Sequence, residues 1–310
     1  MSSVLQTTSN GTTYFPPELT SEMFNLVQGK SSVAKLSASK PIPFTGATTW
    51  TFNLDNEVDI VAESGAKSNG GATIGQKSIT PVKIEYGVRV SDEFMLASEE
   101  YQLGILKAFS EGFAAKAARG IDIMAFHGLN PRTKVASTII GTNHFDSEVT
   151  NTTTYTVGTS NANSVVQTAI ETIQSAGYEA TGMAMAPTYR SYLAALKKGT
   201  SLNEALFPEL AWGANPDTIN GLPVDTNSTV SFTGTASGST NTDLAIVGNF
   251  RDYFRWGYAK NIPVKIIEYG NPDNDATAGD LQGHNQIYLR AEAYIGWGIL
   301  IPAAFNRIVS

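Results

Sequence analysis

The residues best able to hold a metal are three scattered histidines, His127, His144 and His284. None is spaced as H-x-x-x-H or H-E-x-x-H, the patterns that put two imidazoles on one helix face. Each reads as a surface or boundary residue. The Gly-rich run from Gly70 to Ser78 looks like a phosphate loop. Gln76 separates Gly75 from Lys77, however, so the Gly-Lys-Ser/Thr step fails and the run reads as a hairpin tip. Asn271, Asp273 and Asp275 stand at the spacing of the first three ligands of a calcium loop. Ala276 occupies the place of the turn glycine and Gln282 that of the bidentate glutamate, so an Asx-rich turn is the simpler reading. The chain has no cysteine, which removes disulfides, thiolate metal sites and cysteine nucleophiles. No G-x-S-x-G, G-x-G-x-x-G or D-F-G set occurs. Nothing here resembles an enzyme's active site, and no cofactor is expected.

What the chain is rich in is uncharged polarity. Of 310 residues, 21 are basic and 28 acidic, and charged residues make up 16%, against roughly 25% in ordinary soluble chains. Thr, Ser, Asn and Gly supply the difference. A net charge of −7 argues against a nucleic-acid groove, which needs concentrated Lys and Arg. A charge-poor surface suits a subunit covered by neighbours, because an isolated monomer normally needs more charge to stay soluble. The first ten residues lack the basic and apolar regions of a secretory signal. The longest apolar stretch, 293–305, is far short of the roughly 20 residues of a spanning helix.

Periodicity gives the elements that would position any site. The first dozen residues read as an arm, Pro16 and Pro17 precede a short helix at 18–23, and Ser31 to Leu36 with Pro41 and Pro43 form an extended connector. Trp50, Phe52 and Leu54 then alternate with Thr51, Asn53 and Asp55. A return strand is expected at Ile84, Tyr86, Val88 and Val90, with a polar tip at 64–78. Two strands alone are marginal in water, so this arm must rest on something, and a neighbouring subunit is the candidate. Ser91-Asp92-Glu93 caps a helix, and a long one follows from about Tyr101 to Phe126, with Leu106, Phe109, Phe113, Ala117, Ile121 and Met124 at three-to-four spacing. Helices are expected at 164–176 and 187–198, and strands at 182–186, 222–224, 244–250, 264–269 and 287–300. The charge-free run from Thr226 to Thr242 reads as an exposed loop or hairpin. The class is α+β.

This order of segments resembles the major capsid protein of tailed bacteriophages, the Hong-Kong-97-type capsid fold. Tyr14-Phe15-Pro16-Pro17-Glu18 is similar to the family's arm, and Ser31 to Leu36 to its "S-x-v-x-x-l" segment. Val61-Ala62-Glu63 resembles the "w-x-x-E" of its extended E-loop, without the usual Trp. Val90 to Glu93 resembles the start of its peripheral (P) domain, and Ala117 to Gly128, with Asp122, the end of its spine helix. Ile219 to Val224 and Val247-Gly248-Asn249-Phe250 are similar to motifs of its axial (A) domain. Arg290-Ala291-Glu292 through Phe305 resembles the closing "r-x-E-x-r…p-x-A-F".

The resemblance implies an N-terminal arm (1–44), an E-loop hairpin (45–90), a P domain with spine helix (91–148, completed by 285–310) and an A domain with a mixed sheet and helices (149–284). It implies hexamers and pentamers closing an icosahedral shell around double-stranded DNA, bound without sequence specificity, in a virion assembled in the host cytoplasm. Trp50, Phe52, Glu63 and Lys67 are the inter-subunit contact candidates. The arm motif starts within about 15 residues of Met1, so the expectation is either scaffolding from a separate protein or a sequence that starts after an artificial Met; a portal protein and a decoration protein are further partners, and no membrane is involved. Some family members form an isopeptide bond between an E-loop Lys and an Asn, helped by a buried Glu. Here Lys67 and Lys77 occupy the loop, and Asn285 and Glu292 the strand region. The alternative is that the lysines solubilise the loop and Glu292 pairs with a base such as Arg290 or Arg89. A cargo-enclosing, encapsulin-like shell shares the fold; a monomeric carbohydrate-binding module is the reading from a different class.

Overall fold

The computed structural model describes residues 6–7, 13–14, 31–96, 99–199, 203–235, 241–260 and 265–310. The helix expected at 18–23 lies outside them. Strands β1 (Gln6–Thr7) and β2 (Thr13–Tyr14) pair antiparallel. The connector is not extended throughout: Ser31 caps a short helix α1 (Ser32–Leu36), its side chain accepting from the Ala34 amide.

Strands β3 (Ala47–Leu54) and β4 (Ala72–Ile79) form an antiparallel two-stranded ribbon. The return strand is therefore 72–79, inside the segment expected as the tip. The strand expected to return, β5 (Val82–Ser91), pairs instead with Gln286–Ile299 over ten residues. The alternation at 82–91 was real, but alternation does not name its partner, and Pro81 separates the two strands.

Helix α2 (Glu93–Leu96) precedes the long α3 (Glu99–His127). Its 29 residues span about 44 Å. Residues 120–127 are buried on every side. The helix stops at Gly128, which takes a φ of +63° and lies so near the His144 ring that a Cβ would collide with it. Helix α4 (Phe145–Glu148) and β6 (Thr152–Thr154) follow. Helix α5 (Ala162–Ser175) starts two residues earlier than expected because the Asn161 side chain caps the amides of Asn163 and Ser164. After β7 (Gly182–Met185), α6 (Pro187–Ala194) ends four residues early, because the Lys198 amide turns to the Glu204 carbonyl. The remaining elements are β8 (Thr218–Ile219), β9 (Leu222–Thr226), β10 (Asp243–Gly248), α7 (Phe250–Tyr253), β11 (Phe254–Lys260), β12 (Lys265–Ile267), β13 (Gln286–Ile299) and β14 (Phe305–Val309).

One sheet is built on β13, which pairs with β5, β11 and β12, and β12 carries β2. The other runs β6-β14-β10-β7-β9-β8 and mixes parallel with antiparallel pairs. The chain thus passes between the sheets three times: into the second after β5, back into the first after β10, and into the second again with the last strand, β14. Strands β7 and β10 are apolar on both faces, so they read as continuous runs. Ala184 and Ile246 face the core under α3, while Met183, Met185, Ala245 and Val247 face the core under α5 and α6. Phe145 sits against Phe126, Phe250, Phe254 and Phe305 with ring centroids 5.1–5.9 Å away, fastening α3, α4, α7 and β14 at one point. Among the described residues no helix is long and apolar enough to cross a membrane.

Candidate functional site

The ribbon β3–β4 carries an organised apolar surface. Paired residues share a face, and Phe52 stands opposite Ile74 while Trp50 and Leu54 flank it. Trp50, Phe52, Leu54 and Ile74 are each 64–68% exposed. The opposite face carries Thr49, Thr51 and Thr73. Glu63 and Lys67 lie exposed on the turn-back at 55–71, with Val58 and Ile60 almost bare. The base, by contrast, is fixed. Ile79 is buried against β13, where Gly296 and Gly298 leave room for it, and Lys77 pairs with Glu148. The ribbon is thus anchored at its root and apolar along one bare face.

A second site fixes the segment that precedes the ribbon. Asp122 has no solvent exposure, yet it is a charged residue in a helix turn buried on all sides. Its oxygens accept from Ser31 Oγ (2.5 Å), the amides of Ser32 (3.0 Å) and Val33 (3.2 Å), Asn227 Nδ2 (3.2 Å) and Thr229 Oγ1 (3.0 Å). Burial pushes this carboxyl up to about 6 against the pull of those donors, so it is a carboxylate at neutral pH. Ser32 Oγ adds a 2.5 Å bond to Asp225, and Lys35 pairs with Asp217 and Asp225. One buried charge therefore ties α1, α3 and the run after β9 together. The helical spacing puts Asp122 with Lys107, Glu111, Lys116 and Arg119 on the surface, and its full burial overturns that reading; the available signal was an acid inside an otherwise apolar helix stretch. The run 226–235 was expected to be exposed. Thr229 and Val230 are instead fully buried, and Phe232 lies under the cations of Arg119 and Lys134.

The calcium-like segment is filled by a side chain. The Arg89 guanidinium donates to both Asp273 oxygens (2.8 and 2.5 Å), to Asn271 Oδ1 (2.8 Å), to the carbonyls of Ala278 and Gly279, and to Gln286 Oε1. It holds the Asp273 carboxyl down at about 2. Asp275 makes the expected Asx turn, accepting from the amides of Thr277 and Ala278. A planar five-donor fork meets this set and an ammonium cannot. Arg89→Lys is therefore expected to open the loop to limited proteolysis within 270–279 almost as fully as Arg89→Ala; equal resistance of wild type and both variants would refute the assignment.

His127 departs from the surface role expected of it. It is buried at the end of α3, with Nδ1 2.8 Å from Asp146 Oδ2 and Nε2 2.9 Å from the Thr229 carbonyl. His127, Asp146 and Asp243 are a group at metal-ligating distance, with ligand atoms within 4.8 Å of one another. Arg307 already supplies the positive charge there, reaching Asp243 Oδ1 at 2.8 Å and Asp146 Oδ1 at 3.2 Å, and both imidazole nitrogens are engaged. This is an internal ion cluster.

The cross-link residues stand apart. Glu292 is buried and pairs with Lys83 (2.9 Å) and Arg290 (3.1 Å), Lys77 with Glu148, and Asn285 takes a left-handed turn with φ +51°. Among the described residues no hydrogen bond or ion pair joins Lys67 or Lys77 to Asn285 or Glu292. Arg89, the other base considered for Glu292, is the loop anchor.

The model of the phage capsid family matches residues 11–310. A structure from Mycobacterium phage Ogopogo is 29% identical, with a TM-score of 0.74 over 90% of this chain and 92% of that one. One from Gordonia phage Cozz is 26% identical, with a TM-score of 0.72 over 90% and 86%. The capsid of an empty GTA particle shares the fold at 12% identity and a TM-score of 0.62, over 90% and 89%. No curated protein matches the chain.

Proposed function

The chain belongs to the phage capsid family and is a structural shell subunit, and from that premise we propose that it builds hexamers and pentamers by laying the apolar face of its β3–β4 ribbon on a neighbouring copy. The exposed stripe Trp50, Phe52, Leu54 and Ile74 carries this reading. Fully burying one such side chain contributes about 1.5–3 kcal/mol, and closure of a shell multiplies modest contacts. The shell encloses double-stranded DNA, and a net charge of −7 lets packaged DNA slide without sticking. A separate scaffolding protein, a portal protein and a decoration protein are the remaining partners, and assembly takes place in the host cytoplasm before the subunit becomes part of the virion. Electron microscopy of the chain expressed with and without the scaffolding protein tests this: closed shells are expected, and a uniform 33.1 kDa species in both would count for the monomeric binding module. An encapsulin-like shell would enclose a protein cargo in place of DNA.

Covalent reinforcement at Lys67, Lys77, Asn285 and Glu292 would need a carboxylate free to take the lysine proton. Glu292 is committed to two cations and Lys77 to Glu148. Boiled, denatured particles are accordingly expected to give one band at 33.1 kDa. A ladder of multiples would restore the cross-link.

A further inference from the structure

The cluster at the end of α3 joins five stretches of chain: His127 from α3, Asp146 from α4, Thr229 and Asn241 from the run between β9 and β10, Asp243 from β10 and Arg307 from β14. Its hydrogen bonds fix its protons. Both His127 nitrogens face acceptors, the Asp146 carboxylate and the Thr229 carbonyl. A neutral imidazole has one N–H and would leave one acceptor against a lone pair. Asn241 Nδ2 lies 3.2 Å from His127 Nε2 and 3.4 Å from Nδ1, but a hydrogen bond from it to the ring would still leave the Thr229 carbonyl facing a bare nitrogen. The Asn241 Oδ1 accepts from the Asp243 amide at 2.7 Å, which sets the orientation of the Asn241 amide, and its two N–H groups go to the carbonyls of Phe232 (2.8 Å) and Val230 (3.2 Å). The ring is therefore an imidazolium. Asp146 and Asp243 lie in one group whose ligand atoms are within 4.8 Å of one another, and each has a buried oxygen, Asp146 Oδ1 and Asp243 Oδ2, without a hydrogen-bond partner, so one proton between the two carboxyls would satisfy both. Asp243 has no solvent exposure, and Arg307 donates to its Oδ1 alone.

We propose that this junction is a proton-held latch, in which the folded chain keeps two protons, the second on His127 and one shared by Asp146 and Asp243, that fasten the last strand and the run 229–235 to the end of the long helix. No covalent bond changes. When the protons leave, the Thr229 carbonyl faces a lone pair and two carboxylates face each other with Arg307 alone between them.

The direction with pH follows. His127 is raised above its ordinary 6.5, its Asp146 bonds outweighing burial, so its contribution is complete below 6.5 and is lost as pH rises through the higher folded value. Asp243, at about 7 through burial and the Asp146 charge, holds in the folded state a proton the unfolded chain releases above 3.8; its contribution also falls as pH rises. Asp122, bonded to Thr229, acts in the same direction, whereas burial lowers His144, which opposes it. Asp146 itself is lowered and contributes above 3.8.

Ring-nitrogen NMR of the full chain with 15N-labelled histidine reads the first proton directly. Near pH 7 the His127 signal, identified by its absence in His127→Gln, is expected to show both nitrogens protonated; one bare nitrogen would overturn the proposal. Thermal unfolding and amide exchange read the latch. Between about pH 6 and 8.5 the folding constant of wild type is expected to fall about tenfold more than that of Asp243→Asn. The lost exchange protection should concentrate in 229–235 and 305–309. Equal falls in both proteins, or a loss spread evenly over the chain, would contradict it. Since Asn mimics the neutral acid in size and keeps the cluster's shape, this arm does not depend on His127→Gln folding.

Discussion

Replacing Trp50 and Phe52 together by aspartate is expected to leave a folded subunit that no longer closes shells. Both side chains are about two-thirds exposed in the isolated chain, on the bare face of a ribbon whose fixed end is Ile79 and the Lys77–Glu148 pair. Their removal therefore touches none of the subunit's cores, and the unfolding midpoint should move by no more than about 1–2 °C. If a neighbour covers them, each contact loses about 3–6 kcal/mol, at roughly tenfold per 1.4 kcal/mol, before the repulsion of buried carboxylates is counted. The assembly threshold should rise at least about a hundredfold. Sedimentation reads both halves of the result: wild type partitions into fast particles, the variant into 33.1 kDa subunits or small oligomers. Shells of normal yield from the double variant would show that the ribbon face is not an assembly contact.

Asp122→Ala is expected to have the opposite character, harming the subunit first. It strips an acceptor from five donors, two of them backbone amides of α1 that cannot rotate towards anything else. Because Asp122 has no solvent exposure, the cost is about 3–5 kcal/mol, which is a large share of a typical domain's stability. Asp122→Asn should do little better, because an amide turns an N–H group towards the N–H groups it replaces an acceptor for. Calorimetry gives the loss, and amide exchange should place the first opening at 31–36 and 227–230. A loss below about 1 kcal/mol would mean that α1 is held by Val33 and Leu36 packing rather than by the buried charge.

The comparison of these two sites explains how much could be read from residues alone. The apolar alternation 50–54 and the three-to-four spacing from Leu106 to Met124 are local signals, and both survive as β3 and α3. Pairing is not local. Nothing in 82–91 says that its partner lies some two hundred residues on in β13, so the ribbon's return strand was placed one strand too late. The run 226–242 looked exposed because it holds no large apolar cluster. The burial of Thr229 and Val230 goes with a hydroxyl and a carbonyl that satisfy Asp122 and His127 from far along the chain, and such polar burial leaves no periodic trace. Asp273 and Asp275 were legible as an Asx turn, but the guanidinium that fills the turn arrives from another strand. The contact candidates Trp50, Phe52, Glu63 and Lys67 all lie exposed on the ribbon and its turn-back.

The proposed assembly requires that surface to be covered by a second copy of the chain. A cryo-electron microscopy reconstruction of assembled particles decides it. The predicted result is a shell in which the face bearing Trp50, Phe52, Leu54 and Ile74 lies buried on an adjacent subunit. A shell in which that face points to solvent, or folds back over its own subunit, would contradict it.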